Sequence, residues 1–513
     1  MFSIASKGTG TPHLVGIIIL AILLSLFFGL IASLGSTVII FLFVGLLCGL
    51  FLVAQPTMLL WISLIWTLVI AGLLGYFGEV GRAIWPVYAA AAAFWMVAGI
   101  SAFSTKRSAL VRESSRLPGY LIAMIIFYVL SLGSSLYQFD GVTQLLAGVK
   151  NYLLFFGLTL ALVASAYSTK ALHQIAIGIL IIGLIQLPVT LYQYFFIRSK
   201  RIETGGRTIG DSLVEASDSV VGTMSGSMTG GGLDDALALL VCIVLTGILA
   251  AWRGGLLRTS YMALLSVMVI IPVLFSENKI IVVYFPVVFL VVGWDYIRSR
   301  PHAMVLAGLA MPLLLFGVLV GHYHLHWSSQ YDDLETAVEK NFLYSFEEKS
   351  GGQKAMMGNM TRREAVEFWW ESHTVFHPDT LLLGHGLGSS RLHSTVVSGK
   401  TVREYGGRNL AKTGLSQLLW ETGLIGTFLF FWALLAAAQH ARKIAQTVES
   451  MDRVMLRTIQ AGLLMMAISL FYKGSLLNTA QMGFLLFFML GMVAYYGQAM
   501  KNNLLNSGQV KIR

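Results

Sequence analysis

The sequence predicts an all-α polytopic membrane protein of about 14 transmembrane helices with one large, partly helical periplasmic loop. Three observations carry that expectation. Of 513 residues, 56% are hydrophobic and only 12% charged, where a soluble domain averages about 25% charged. A span needs about 20 predominantly apolar residues, and fourteen runs qualify, centred near Leu24, Val44, Ile65, Ala92, Tyr128, Gly157, Gly183, Ile243, Val267, Phe289, Pro312, Phe428, Met465 and Phe488. Finally, the ionisable groups are concentrated. Residues 322–412 hold seven of the eleven histidines, ten of the 35 Lys and Arg, and eleven of the 25 Asp and Glu.

The elements follow in order. The run at 14–34 is long enough to span and has no small-residue cleavage pattern after it, so it reads as a first span and not a signal peptide. The run around Val267 is the shortest. With the N-terminus inside, seventeen Lys and Arg fall on cytoplasmic segments, against one each (Arg82, Lys150, Lys279, Lys473) in the short outer loops, as the positive-inside rule requires. Both termini are therefore expected in the cytoplasm, and both long polar segments, 198–232 and 322–412, outside. The chain then divides into residues 1–321 with eleven spans, 322–412 as the large loop, and 413–513 with three spans and a tail. Cys48 and Cys242 sit in apolar runs and read as small buried hydrophobes, not as a disulfide or metal pair. The net charge of +10 suits anionic surroundings.

The segment 198–232 is rich in Gly, Ser and Thr and reads as ordered but irregular. In the large loop, Thr361 has Glu364 three residues on, the capping-box spacing. The helix it opens runs to Ser372, with Val366, Trp369 and Trp370 as an apolar face lying on the membrane surface or over the spans beneath. His322, His324 and His326 alternate, so an extended segment would line them up as metal ligands. They follow a span directly, however, and read better as interfacial residues. After His377 and Pro378, Gly384, Gly386 and Gly388 alternate with His385 and Leu387. Turns explain such a pattern as readily as ligand binding. Glu421 and Gly423 stand at the start of a span, where an unpaired carboxylate is expensive; capping the helix start is the alternative for Glu421, as for Asp234 and Asp235.

Taken together these residues resemble the O-antigen ligase and Wzy-type polysaccharide polymerase superfamily of GT-C-like membrane glycosyltransferases. The matching elements are Arg362 or Arg363 with Trp369, then Pro378 with Gly384-His385-Gly386-Leu387-Gly388, then Gln417 through Glu421, Gly423 and Gly426. Weaker likenesses are the Gly-Thr loop before the span at Ile243, and Ser276-Glu277-Asn278-Lys279 where members carry Ser-x-Ser-Arg. The resemblance covers roughly residues 205–430. One position departs from the family: the His-Asn of its ligases, nine residues before the Glu, is here Lys412-Thr413. That favours the polymerase over the ligase.

The resemblance implies transfer of a glycan from a polyprenyl diphosphate carrier to an acceptor hydroxyl, at the outer face of the bacterial inner membrane. As the diphosphate leaves, cations aimed at it supply the stabilisation, and Arg binds phosphate oxygens in pairs. Arg207, Lys279 and Arg363 are the expected diphosphate contacts, with Arg362, Arg391 and Arg408 as further substrate-binding candidates. Lys412 is a fourth cation or an acceptor-side group. His385 or His393 suits the role of base, with an ordinary pKa near 6.5; Glu421 is the carboxylate alternative. No cofactor and no metal are expected. The partners implied are the polyprenyl-diphosphate-linked glycan, membrane lipid and a chain-length-regulating co-polymerase, with no nucleic acid. A ligase acting on a lipid core is the rival within the class. A lipid-linked oligosaccharide flippase is the rival outside it, but transporters place charge near the bilayer midplane, and this chain places it in a loop.

Overall fold

The computed structural model of the chain describes residues 49–103, 117–164, 167–198, 208–209, 212–213, 220–224, 226, 233–276, 278–328, 331–339, 360–373, 378–391, 398–448 and 450–506. Residues 1–56 cluster as a unit of their own, described from residue 49 and helical over 49–54. The expected spans at Leu24 and Val44 lie outside the described residues. The second unit, residues 57–513, carries everything below.

It is a helical bundle. Apolar backbone without water must satisfy its own N–H and C=O groups, and helices do so within one segment. The first helices are α1 (Pro56–Phe77), α2 (Gly81–Phe103) and α3 (Gly119–Tyr137), then a pair bent by 47°, α4 (Val142–Tyr152) and α5 (Phe156–Ala164), and then α6 (Thr169–Arg198). Next come α7 (Asp234–Arg253), α8 (Thr259–Phe275), α9 (Ile281–Ser299) and α10 (Pro301–His322). The polar stretch holds the short α11 (Leu334–Val338), α12 (Arg362–Ser372), α13 (Pro378–Leu383) and α14 (Lys400–Glu404). The chain closes with α15 (Gly414–Ala445), α16 (Ser450–Ser469), α17 (Ser475–Asn478) and α18 (Ala480–Asn506). One two-residue antiparallel ladder, β1 (Thr208–Ile209) with β2 (Ser212–Leu213), lies in the segment 198–232.

Every expected span centre among the described residues falls in a helix. Among the described residues, eight helices are long and apolar enough to cross a bilayer, and the bent pair α4–α5 makes a ninth. The helix at Val267 is shorter, 17 residues, and α10 and α16 are helices outside those eight. The chain is thus a multi-pass membrane protein. α7 and α18 form its centre, 78% and 89% of their apolar windows being buried against 28% for α9. α15 packs on α3 and α16, and α5 lies between α2 and α18. At one end of the bundle the basic helix termini meet: Arg457 pairs with Asp295 at 2.5 Å, and Arg253, Arg442 and Arg453 lie close enough to repel it. Those are helix ends that the charge count assigns to one side.

Two features need more than apolar periodicity. Val221 to Thr223 is irregular backbone packed between α1 and α6. Gln186 and Gln193, two turns apart on α6, hold it. Gln193 Oε1 accepts from Val221 N and Gly222 N at 2.9 and 2.7 Å, and its amide donates to Gly222 O at 2.8 Å. Gln186 Oε1 accepts from Thr223 N at 2.8 Å. A Cβ on Gly72 of α1 would lie 1.8 Å from Thr223 O, so that approach requires glycine. The second feature is the break in α15. Gly423 has φ 65° and ψ −168°, outside any helical region, so the carbonyls of Trp420 and Glu421 are left without the usual partners four residues on.

Candidate functional site

The open carbonyls of α15 are filled from the polar loop. His385 N donates to Trp420 O at 2.8 Å and Gly386 N to Glu421 O at 3.1 Å. Leu387 N donates to Ser135 Oγ of α3 at 2.8 Å. Gly384, Gly386 and Gly388 have φ of 75°, 85° and 80°, and a Cβ on Gly384 would stand 2.6 Å from the backbone of Glu421 and Gly423. The alternating glycines are therefore a docking device between two backbones. The N–H groups of Gly384, His385 and Gly386 donate to protein carbonyls and that of Leu387 to a hydroxyl.

What the docking delivers is the next two residues. Ser390 Oγ donates to Glu421 Oε1 at 2.7 Å, and Arg391 Nε lies 4.0 Å from the same oxygen. Glu421 is fully buried and Arg391 is 8% exposed. Arg391 also reaches Asn478 Oδ1 of α17 and, at 3.4 Å, Leu477 O. Gln417, one turn before Glu421, shares its face of α15, and the Tyr152 hydroxyl at the end of α4 lies against both. Lys150, also of α4, stacks on the Tyr88 ring at 4.8 Å within electrostatic range of Arg391.

Four buried polar side chains meet here, Arg391, Glu421, Gln417 and Tyr152, with the Tyr152 hydroxyl set against Glu421 and Gln417. Buried polar groups are normally paired in folded proteins, and these face one another from three elements. The arrangement is a buried cation and carboxylate set among neutral donors and acceptors.

A second cluster lies above it. His373, just past α12, is buried; its Nδ1 is 2.7 Å from Trp369 O and its Nε2 is 3.0 Å from His385 Nε2. Trp369 and Trp420 pack on both rings' surroundings, with centroids 4.8 Å and 4.9 Å from His373. They belong to a core with Val402, Leu410 and Leu419. Burial pushes the pKa of His373 down, and burial together with the neighbouring His373 and Lys400 pushes that of His385 down to about 4, Asp379 opposing.

The remaining candidates are dispersed. Arg207 and His393 lie outside the described residues. Arg363 is 62% exposed and pairs at 2.5 Å with Glu367 of its own helix. Arg362 donates to Tyr472 O at 2.7 Å and stacks on that ring at 4.2 Å, beside Lys473, which binds Asp234 at 2.6 Å. Arg408 is exposed over Phe368 at 4.8 Å. Lys412 is half-buried just before the Thr413–Ser416 cap of α15. Lys279 is half-buried and within electrostatic range of His322. His322, His324 and His326 continue α10 as a helical turn, so the extended alternation needed for a three-histidine site does not occur. Among the described residues no three metal-ligating side chains converge. The expected capping box at Thr361 and Glu364 is present, but its aromatic pair splits: Trp369 is buried and Trp370 is 68% exposed.

Sequence reasoning passed over His373, Ser390, Tyr152 and Asn478. Ser390 adjoins the glycine turn, and Asn478 belongs to a polar interruption between two apolar runs; those were the available signals. Fold and site together define a multi-pass helical membrane protein with a buried ionic centre where a polar loop locks into a broken helix. No known protein family matches the chain, and comparison with curated proteins gives no match.

Proposed function

We propose that this chain is a membrane glycosyltransferase that polymerises polyprenyl-diphosphate-linked oligosaccharide repeat units into an exported polysaccharide, at the outer face of a bacterial inner membrane. It would do so with fourteen spans and both termini in the cytoplasm. The motif resemblance between residues 362 and 426 motivates the reading. The observation that carries it is the buried Arg391, brought by the glycine turn to the broken span α15 opposite Glu421, with a second cation, Lys150, nearby.

A leaving diphosphate gains negative charge as its bond to the sugar breaks. A guanidinium held by Asn478 and Glu421 in a site poor in water stabilises that charge more than one in bulk solvent. Arg363, paired with Glu367 on an exposed face, lacks that advantage. Lys412 in place of the family's ligase histidine favours polymerase over ligase.

The test is what accumulates when the chain is deleted from its own cells. Single lipid-linked repeat units exposed on the outer face support the polymerase. Full-length carrier-bound polymer points to a ligase, and units retained on the cytoplasmic face to a flippase. Arg391→Ala, expressed at normal level, is expected to reproduce the deletion. Arg363→Ala tests the exposed cation in the same way, and a normal polymer length distribution removes it from the mechanism.

A further inference from the structure

We infer that His373 and His385 form an oriented pair, with His385 Nδ1 as the atom that takes the proton from the acceptor sugar hydroxyl and His373 as its positioning residue. The inference rests on the polymerase reading and chooses among the bases open to it. The geometry fixes the tautomers. The Trp369 carbonyl can only accept, so His373 Nδ1, at 2.7 Å, carries a hydrogen. Held neutral by burial, His373 must then present a lone pair at Nε2. His385 Nε2, 3.0 Å away, supplies the hydrogen between them, which leaves the lone pair of His385 on Nδ1. A carbonyl orients one ring, and that ring orients the next.

Glu421 is a poorer choice. It is fully buried, with one oxygen accepting from Ser390 and facing Arg391. His385 is half-buried. The groups facing it are His373 beyond α12, Asp379 of α13, Lys400 of α14 and Trp420 of α15.

In the step itself, the acceptor oxygen attacks the anomeric carbon of the donor sugar. The bond from that carbon to the phosphate oxygen breaks, and its electron pair leaves with the polyprenyl diphosphate. The hydroxyl proton passes to His385 Nδ1. The imidazolium so formed still donates from Nε2 to His373, and its extra proton returns to water.

The test uses the full-length protein in detergent or proteoliposomes, with lipid-linked repeat units extracted from cells lacking the chain as probe. Imidazole nitrogen shifts from NMR should report His373 protonated on Nδ1 and His385 on Nε2. The opposite tautomer in either ring overturns the inference without reference to activity. His385→Gln should lower kcat by roughly 100-fold or more and remove the acid limb of the pH–rate profile. His373→Phe, which keeps a packed ring but cannot accept, should lower kcat roughly tenfold or more with KM little changed and let His385 sample both tautomers. Retained kcat and an intact acid limb in His385→Gln overturn the inference while the polymerase reading stands. A wild-type protein that makes no polymer from the probe overturns both.

Discussion

Replacing Glu421 by Gln removes one charge from a place water does not reach, and the size of the effect follows from what stays behind. Arg391 would remain 8% exposed, with the neutral oxygens of Asn478 and Leu477 as its acceptors among the described residues. The lost partner lies 4.0 Å away; at that distance a unit pair attracts by roughly 4 kcal/mol for an effective dielectric constant of about 20. Breaking a buried pair by removing one member typically costs about 3–5 kcal/mol. Glu421→Gln and Arg391→Gln are each expected to destabilise by about 3 kcal/mol or more, and the double variant by clearly less than their sum. Equilibrium unfolding of the purified protein in mixed micelles measures all three. Strict additivity, or single variants within about 0.5 kcal/mol of wild type, would refute the claim that the two side chains form one buried electrostatic unit.

Three further outcomes are expected. Gly423→Ala places a Cβ 2.4 Å from the Leu382 carbonyl group at a conformation side chains rarely adopt; it should cost more than about 3 kcal/mol and abolish the monodisperse peak in size-exclusion chromatography. Gln193→Leu strands Val221 N, Gly222 N and Gly222 O, so a loss of at least about 2 kcal/mol is expected, read as lowered thermal stability of the solubilised protein. The third concerns pH. His385 has its folded-state pKa pushed down to about 4 from an ordinary value of 6.5, so the unfolded chain takes up its proton first as pH falls. Its contribution is fully present above pH 6.5 and is lost as pH drops toward about 4, on the order of 3 kcal/mol. Unfolding of wild type and His385→Gln at pH 7.5 and 4.5 should diverge accordingly; parallel curves would contradict it.

The parts of the molecule that were legible in the sequence are those set by local rules. Apolar run length placed a helix at each described span centre, and a Thr three residues before a Glu gave the start of α12. The glycines of 384–388 and Gly423 were visible as special positions. Their purpose was not, because it lies in the approach of two backbones thirty-odd residues apart in sequence. The cations show the same limit. Arg363 and Arg391 look alike as letters in a polar stretch; one falls beside Glu367 on an exposed helix face, and the other is carried by the docked turn against Glu421. His373 is invisible for a related reason. Nothing in a one-dimensional pattern states that its ring will meet the ring of His385 between two tryptophans.

The interlock at Trp420 and Glu421 also bears on how the protein is made. The ribosome produces residues 385 and 386 before α15, so the donors already exist when the helix enters the translocon. Until they engage, α15 holds two vacant carbonyls at its bend, while the polar segment already has Ser134, Ser135 and Gln144 of the earlier helices to bind. A chain truncated before residue 420 would keep the loop's bonds to Ser135 and Gln144 and lose those to Trp420 and Glu421.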